Sequence, residues 1–166
     1  MRLVKLGIIS VVVLFLVMYF FSLIIPSQIR ISRAMNISVS KDSLRARVTD
    51  LRQWKEWNAL TSNPDLTNQQ YTENAFSSDQ LKVTSLPSTG DTLFTAWHQQ
   101  TNAKVLASGF TWAGTGDQVV IQWYFDIKLR WYPWEKFGSI VFDKQLGPPM
   151  EKSLGNLKKL LEKNPQ

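Results

Sequence analysis

Cysteine is missing from this chain of 166 residues. That excludes disulfides, zinc–thiolate sites, iron–sulfur clusters and cysteine nucleophiles. Histidine occurs once, as His98, so no two-histidine metal site can form and a histidine-based relay has little to draw on. The sequence contains no Ser–His–Asp set, glycine-rich phosphate loop or carboxylate cluster, and no internal repeat or low-complexity tract. Charged residues make up 19%. The net charge of +6 does not point to nucleic acid: two of the basic residues flank an apolar run and the rest are interspersed with acids. A mild attraction to anionic lipid headgroups is the simpler meaning.

What the chain has in quantity is apolar and aromatic surface, with 44% hydrophobic residues, 7 Trp, 4 Tyr and 9 Phe. Its length suits one folded domain and not two. Residues 6–25, LGIISVVVLFLVMYFFSLII, carry neither charge nor proline. About 20 such residues at roughly 1.5 Å each reach about 30 Å, the thickness of a hydrocarbon core. Pro26 closes the run, and Tyr19, Phe20 and Phe21 lie toward one end, as in an aromatic belt. A cleaved signal peptide is the rival. Its apolar region would span only about 7–15 residues and precede a small-x-small site, which IIPSQIRIS does not offer. The expectation is a single-pass anchor over 1–27 and a domain over 28–166. Arg2 and Lys5 precede the span, and Arg30, Arg33 and Lys41 follow it. A short basic N-terminus ahead of a first span usually stays in the cytoplasm, which puts the domain on the outer side.

The rest of the chain reads as strand, helices, strands and long helix. Alternation from Ile29 to Val39 indicates a strand. Ser40 then offers an N-cap, with Asp42 in the first helical turn. Leu44, Val48 and Leu51 follow at helical spacing, and a second short helix carries Trp54 and Trp57. Asn58 to Asp65 reads as a loop. Strands are expected at Leu81–Leu86, Thr92–His98, Val105–Trp112 and Val119–Leu129, joined by short turns into an antiparallel meander. The last strand has the clearest period of two: Val119, Ile121, Trp123, Phe125, Ile127 and Leu129 against Val120, Gln122, Tyr124, Asp126, Lys128 and Arg130. After an irregular or helical piece around Lys136 to Phe142 and the break Gly147-Pro148-Pro149, Leu154, Leu157 and Leu161 announce a long amphipathic helix from Met150 onward.

Three stretches resemble the SRPBCC superfamily, which includes START-like, birch-pollen-allergen-like and polyketide cyclase/dehydrase-like proteins. The first is Asp50-Leu51-Arg52-Gln53-Trp54-Lys55-Glu56-Trp57-Asn58 after the opening strand, similar to D-L-x-x-W-x-x-W-N. The second is the last strand running into the aromatic stretch Trp131 to Phe137. The third is the ending Gly147 to Leu161, with Ser153-Leu154-Gly155-Asn156-Leu157-Lys158-Lys159-Leu160 close to G-L-x-N-L-K-K-L. The likeness covers about residues 28–162, and a preceding single span occurs in a membrane-anchored bacterial branch of the group. It departs from the group's pattern between Leu66 and Asp79, a short polar stretch where members usually place well-formed strands, so strands two and three are expected to be frayed. The resemblance implies an α+β helix-grip fold, a curved antiparallel sheet wrapped around the C-terminal helix, in a bacterial plasma membrane; the basic N-terminus puts the domain on the periplasmic side.

A fold of this kind implies no particular reaction. Its expected use is an apolar cavity between sheet and helix. Candidates to line it are Ile121, Trp123, Phe125 and Ile127 on the last strand, Phe94 or Trp97 and Phe110 or Trp112 on its neighbours, and Met150, Leu154 and Leu157 on the helix. The same side chains can instead fill a closed core, since each buried aromatic contributes about 1.5–3 kcal/mol. His98 reads as a solvated turn residue. Asp126 and Lys128 share the polar face of the last strand, which suits an exposed cross-strand or same-face ion pair. Trp54 and Trp57 read as packing against the sheet edge, and Asn58 as bonding the backbone of the next loop. The leading expectation is thus a membrane-anchored binding module for a lipid or other small hydrophobic ligand. The alternatives are a non-catalytic accessory subunit docking on a membrane-protein complex and, with less support, a cyclase- or hydrolase-like enzyme. No cofactor, metal or nucleic acid is implied.

Overall fold

A computed structural model describes residues 2–24, 26–100, 105–130, 132, 135–136 and 140–163, Ile140 through its backbone alone. Thr101 and Asn102 of the expected turn, and Trp131, Pro133, Trp134 and Phe137 of the aromatic stretch, lie outside the described residues.

The period of two organises the sheet. In Gln118–Lys128 (β7) every second side chain from Val119 to Ile127 is buried. β7 pairs on one side with Gln28–Ile37 (β1), through Ile29↔Ile127, Arg33↔Trp123 and Ile37↔Val119. On the other side it pairs with Val105–Thr115 (β6). Beyond β6 come Thr92–Gln99 (β5), Leu81–Ser85 (β4), Ala75–Ser77 (β3) and Gln70–Tyr71 (β2). The sheet has 7 strands in the order β1-β7-β6-β5-β4-β3-β2, every pair antiparallel. β2 and β3 are short, as the polar sequence between Leu66 and Asp79 suggests. Gly116, at φ +67°, supplies the left-handed residue of the β6–β7 turn at no steric cost.

Three short helical segments cross from β1 to the sheet's concave face. Ser40 caps Lys41–Thr49 (α2), its Oγ accepting from Ser43 N at 3.4 Å. Asp50 caps the 3-10 turn Leu51–Gln53, its Oδ1 accepting from Arg52 N at 3.0 Å. Trp54–Trp57 (α3) follows. The two indoles do not sit at the sheet edge, as expected from sequence, but over its middle strands. Trp54 is 5.3 Å and Trp57 5.9 Å, centroid to centroid, from Phe110 of β6. The physical reason is volume: only the middle of a curved sheet offers an apolar hollow deep enough for two rings.

The closing helix also departs from expectation. It runs unbroken over Ile140–Lys163 (α4), with Pro148 and Pro149 inside it. Proline removes two of its internal hydrogen bonds, and contacts from β1 span the gap. Arg33 Nε donates to Glu151 Oε1 at 2.6 Å, and its guanidinium pairs with Asp143 at 3.0 Å. Asp143, Gly147 and Glu151 form one row at i, i+4 and i+8. The guanidinium lies against Gly147, where a Cβ would collide with it. Met150, Leu154, Leu157 and Leu161 are buried against the sheet.

Arg2–Ile24 (α1) stands apart from this core. It is long and apolar enough to cross a membrane. Apart from half-buried Tyr19 and buried Ser22, its described side chains are exposed. It is therefore not the core helix of this domain.

Two outcomes test this packing. Trp54 Nε1 donates to Val48 O at 2.8 Å, whereas buried Trp57 Nε1 finds no hydrogen-bond partner among the described residues. Trp57→Ala should cost about 3–5 kcal/mol. Trp57→Phe should cost less than Trp54→Phe, because it leaves no buried acceptor unpaired; denaturant unfolding of the variants decides, and equal losses would contradict the assignment. Asp50 provides a pH test. The Arg52 guanidinium, at 2.9 Å, holds its carboxyl below the usual carboxylate range. A depressed folded-state pKa contributes stability that is present above the ordinary carboxylate pKa and is lost as pH falls through the lowered one. Asp50→Asn should flatten that acid-side slope in pH-dependent melting.

Candidate functional site

Six rings plug the centre of the concave face. Phe110 stacks on Trp123 at 4.7 Å and 22°, and Trp54 and Trp57 close over Phe110. Trp97 lies 6.1 Å from Trp123 and 5.2 Å from Phe125. Two hydroxyls on the same face orient the indoles. Trp97 Nε1 donates to Thr95 Oγ1 at 3.0 Å, and Trp123 Nε1 to Ser108 Oγ at 2.9 Å. Ser108 Oγ in turn donates to Tyr124 O at 2.7 Å. Most buried indole N–H groups find such partners, and these two bonds fix the rotamers of Trp97 and Trp123.

Space remains at the two ends of this plug. At one end is an apolar cavity of about 110 Å³ bounded by Leu60, Leu81, Trp97, Gln99, Leu106, Phe125 and Leu146. A dry engineered cavity of about 150 Å³ holds benzene, so this one suits a single ring or the end of an alkyl chain. Among the described residues, Gln99 supplies the one polar side chain of its lining. At the other end lies an open recess of about 430 Å³ bounded by Thr49, Asp50, Glu73, Asn74, Ser85, Leu86, Pro87, Ser88 and Leu93. Its walls are polar and engaged with one another: Leu51 N donates to Glu73 O and Ser85 N to Asn74 O. Although larger, it offers an apolar ligand little to displace. Among the described residues, no group of three or more His, Asp or Glu is placed to hold a metal ion.

The candidates named from sequence divide accordingly. Trp97 and Phe125 line the apolar cavity. Phe110, Trp112, Ile121, Trp123, Ile127, Met150, Leu154 and Leu157 are buried but bound neither space. Of the pair Phe94 or Trp97, only Trp97 faces inward. Phe94 is on the opposite face of β5 and 37% exposed, because successive strand residues alternate. Asn58 Oδ1 accepts from Leu60 N at 3.0 Å and positions that cavity wall. Asp126 pairs with Arg30 on β1, both contacts at 2.7 Å, the cross-strand form of the expected exposed pair. His98 is exposed.

Sequence reasoning missed five of the seven lining residues. Leu106 shares the parity of Phe110 and Trp112 and was open to inference. Gln99, two residues beyond Trp97, shares its parity too, but a polar residue at a strand end carries no inward signal. Leu81 begins a short strand, and Leu60 lies in a loop. Leu146 precedes the prolines, in a helical stretch that the Gly-Pro-Pro sequence concealed.

No family model and no curated protein matches the chain by sequence. Solved structures do match it in fold. A START superfamily protein from Mycobacterium smegmatis superposes with a TM-score of 0.58 at 14% identity, over 81% of this chain and 97% of that one. Norcoclaurine synthase from Thalictrum flavum, in complex with dopamine and hydroxybenzaldehyde, gives 0.62 at 10% identity, over 88% and 93%. The di-domain ARO/CYC StfQ from the steffimycin biosynthetic pathway gives 0.60 at 9% identity, over 82% and 51%. At such identities the likeness is one of architecture: this chain has the helix-grip fold of START-like and polyketide cyclase/aromatase-like proteins.

Proposed function

We propose that the chain is a membrane-anchored module that holds a small apolar ligand, or the apolar end of a lipid, between the sheet and α4. The observation that carries this reading is the apolar cavity beside Trp97 and Phe125. Its volume limits the held group to about one ring or a short chain end. The solved neighbour with dopamine and hydroxybenzaldehyde supports single-ring ligands as a use of this architecture. A reaction would need a polar reacting group at the cavity, and Gln99 is neither a strong base nor a nucleophile.

The anchor reading takes residues 1–27 as a retained single span and residues 28–166 as the domain. It is supported by the missing cleavage site and by the contact of Lys136 Nζ with Ser22 O at 2.7 Å. Cleavage would strip a partner from a buried ammonium, which is costly. The basic Arg2 and Lys5 favour the domain on the outer side of a plasma membrane. The full chain should stay in the membrane fraction through a carbonate wash and be digested by protease added outside intact spheroplasts. A soluble, shortened chain would contradict the anchor, and protection from the protease would contradict the orientation.

Leu146→Trp tests the site. In an open cavity the indole displaces ligand and stability holds; in a filled core overpacking costs about 1–3 kcal/mol. The expected outcome is an unchanged melting temperature with loss of binding of an environment-sensitive apolar probe. The rival reading, an accessory subunit docking on a membrane complex, is favoured by the ring-filled centre. It predicts that the unsubstituted protein binds no probe at all.

A further inference from the structure

The apolar cavity and α1 lie at the same end of the strands. Gln99 is the last residue of β5, Leu81 the first of β4 and Leu106 the second of β6. Phe125 is three residues from the end of β7, about 10 Å at 3.3 Å per residue. β1 begins at this end, Gln28 lying opposite Lys128. Three residues separate Ile24 of α1 from Gln28, so their Cα atoms are at most about 14 Å apart. Leu129 N donates to Ser27 O at 2.9 Å, which ties this link to the end of β7.

α1 is also docked on the domain. Ser22 is its one buried residue, and Lys136 of the domain, 5% exposed, donates through Nζ to Ser22 O at 2.7 Å. The last carbonyls of a helix have no partner inside it, and that end carries a negative partial charge. Carbonyls at membrane depth must be satisfied by protein. Ser22 lies about 3 Å along the axis from the end of α1, so the lysine that caps it sits at the level of the bilayer interface. Exposed Lys128 and Arg130 at this end suit anionic headgroups.

We propose that the Lys136–Ser22 contact and the three-residue link hold the cavity end of the grip on the bilayer that α1 crosses, so that the cavity exchanges its ligand with the lipid phase and not with bulk water. The route rests on the ligand-binding reading above; the orientation does not.

The absence of cysteine permits a clean test in the full chain, reconstituted in phosphatidylcholine vesicles with brominated acyl chains. A nitrobenzoxadiazole label is placed by Val105→Cys at the cavity end, or by Asp117→Cys in the turn at the opposite end; both sites are exposed. Relative to unbrominated vesicles, the label at 105 should lose most of its emission and the label at 117 little. Equal loss at both sites overturns the orientation. Adding Lys136→Ala to the Val105→Cys chain should relieve much of the quenching while circular dichroism stays unchanged; undiminished quenching overturns the role of the lysine contact. Binding of a bilayer-dissolved apolar probe is read in parallel. Probe binding with equal quenching overturns this inference and leaves the binding reading intact. Quenching confined to 105 without probe binding overturns the exchange route together with the binding reading.

Discussion

The packing of Trp54, Trp57, Trp97, Phe110, Trp123 and Phe125 in the hollow between sheet and closing helix is the contact on which the rest of the structure depends. Each ring buries on the order of 150–250 Å², and the set joins α3 to β5, β6 and β7. It holds α3 over the sheet, and unfilled space lies at the two ends of the hollow. Hydroxyls of Thr95 and Ser108 then fix which way Trp97 and Trp123 face. A cavity of this size next to rings of fixed rotamer is a preorganised feature, and preorganisation lowers the cost of binding.

The second constraint is the short connection between apolar helix and domain. A long flexible linker would let the domain tumble above a membrane. Here three residues separate α1 from β1, and a buried lysine contact ties α1 to the domain. The apolar helix and the cavity share one end of the strands because β1 enters the sheet beside the end of β7, and Phe125 and Ile127 face inward there.

Much of this architecture was readable from residue order. The alternation of Val119 to Leu129 gave β7 its inner face, and the D-L-x-x-W-x-x-W-N stretch marked the two helical segments. The leucine spacing after Met150 marked the closing helix. Periodicity failed where a chemical signal outweighed it. Two consecutive prolines suggested a helix start, yet α4 begins eight residues earlier, held across the break by Arg33. The cavity was harder to read, because which part of an apolar face is filled depends on ring volumes from four different elements. Leu60 and Leu146, from a loop and a proline-interrupted helix, bear no periodic mark. Trp123, the most central of the sequence candidates, is packed solid, and Trp97 at the margin borders the open space.

The most direct measurement is a two-dimensional ¹H–¹⁵N spectrum of the seven indole N–H groups while a small aromatic or short-chain alkyl ligand is titrated in. Trp97 borders the cavity, whereas Trp112 does not. The account predicts a saturable shift of the Trp97 signal with Trp112 unmoved. A spectrum in which Trp97 does not respond, or in which all seven signals drift together without saturating, would contradict it.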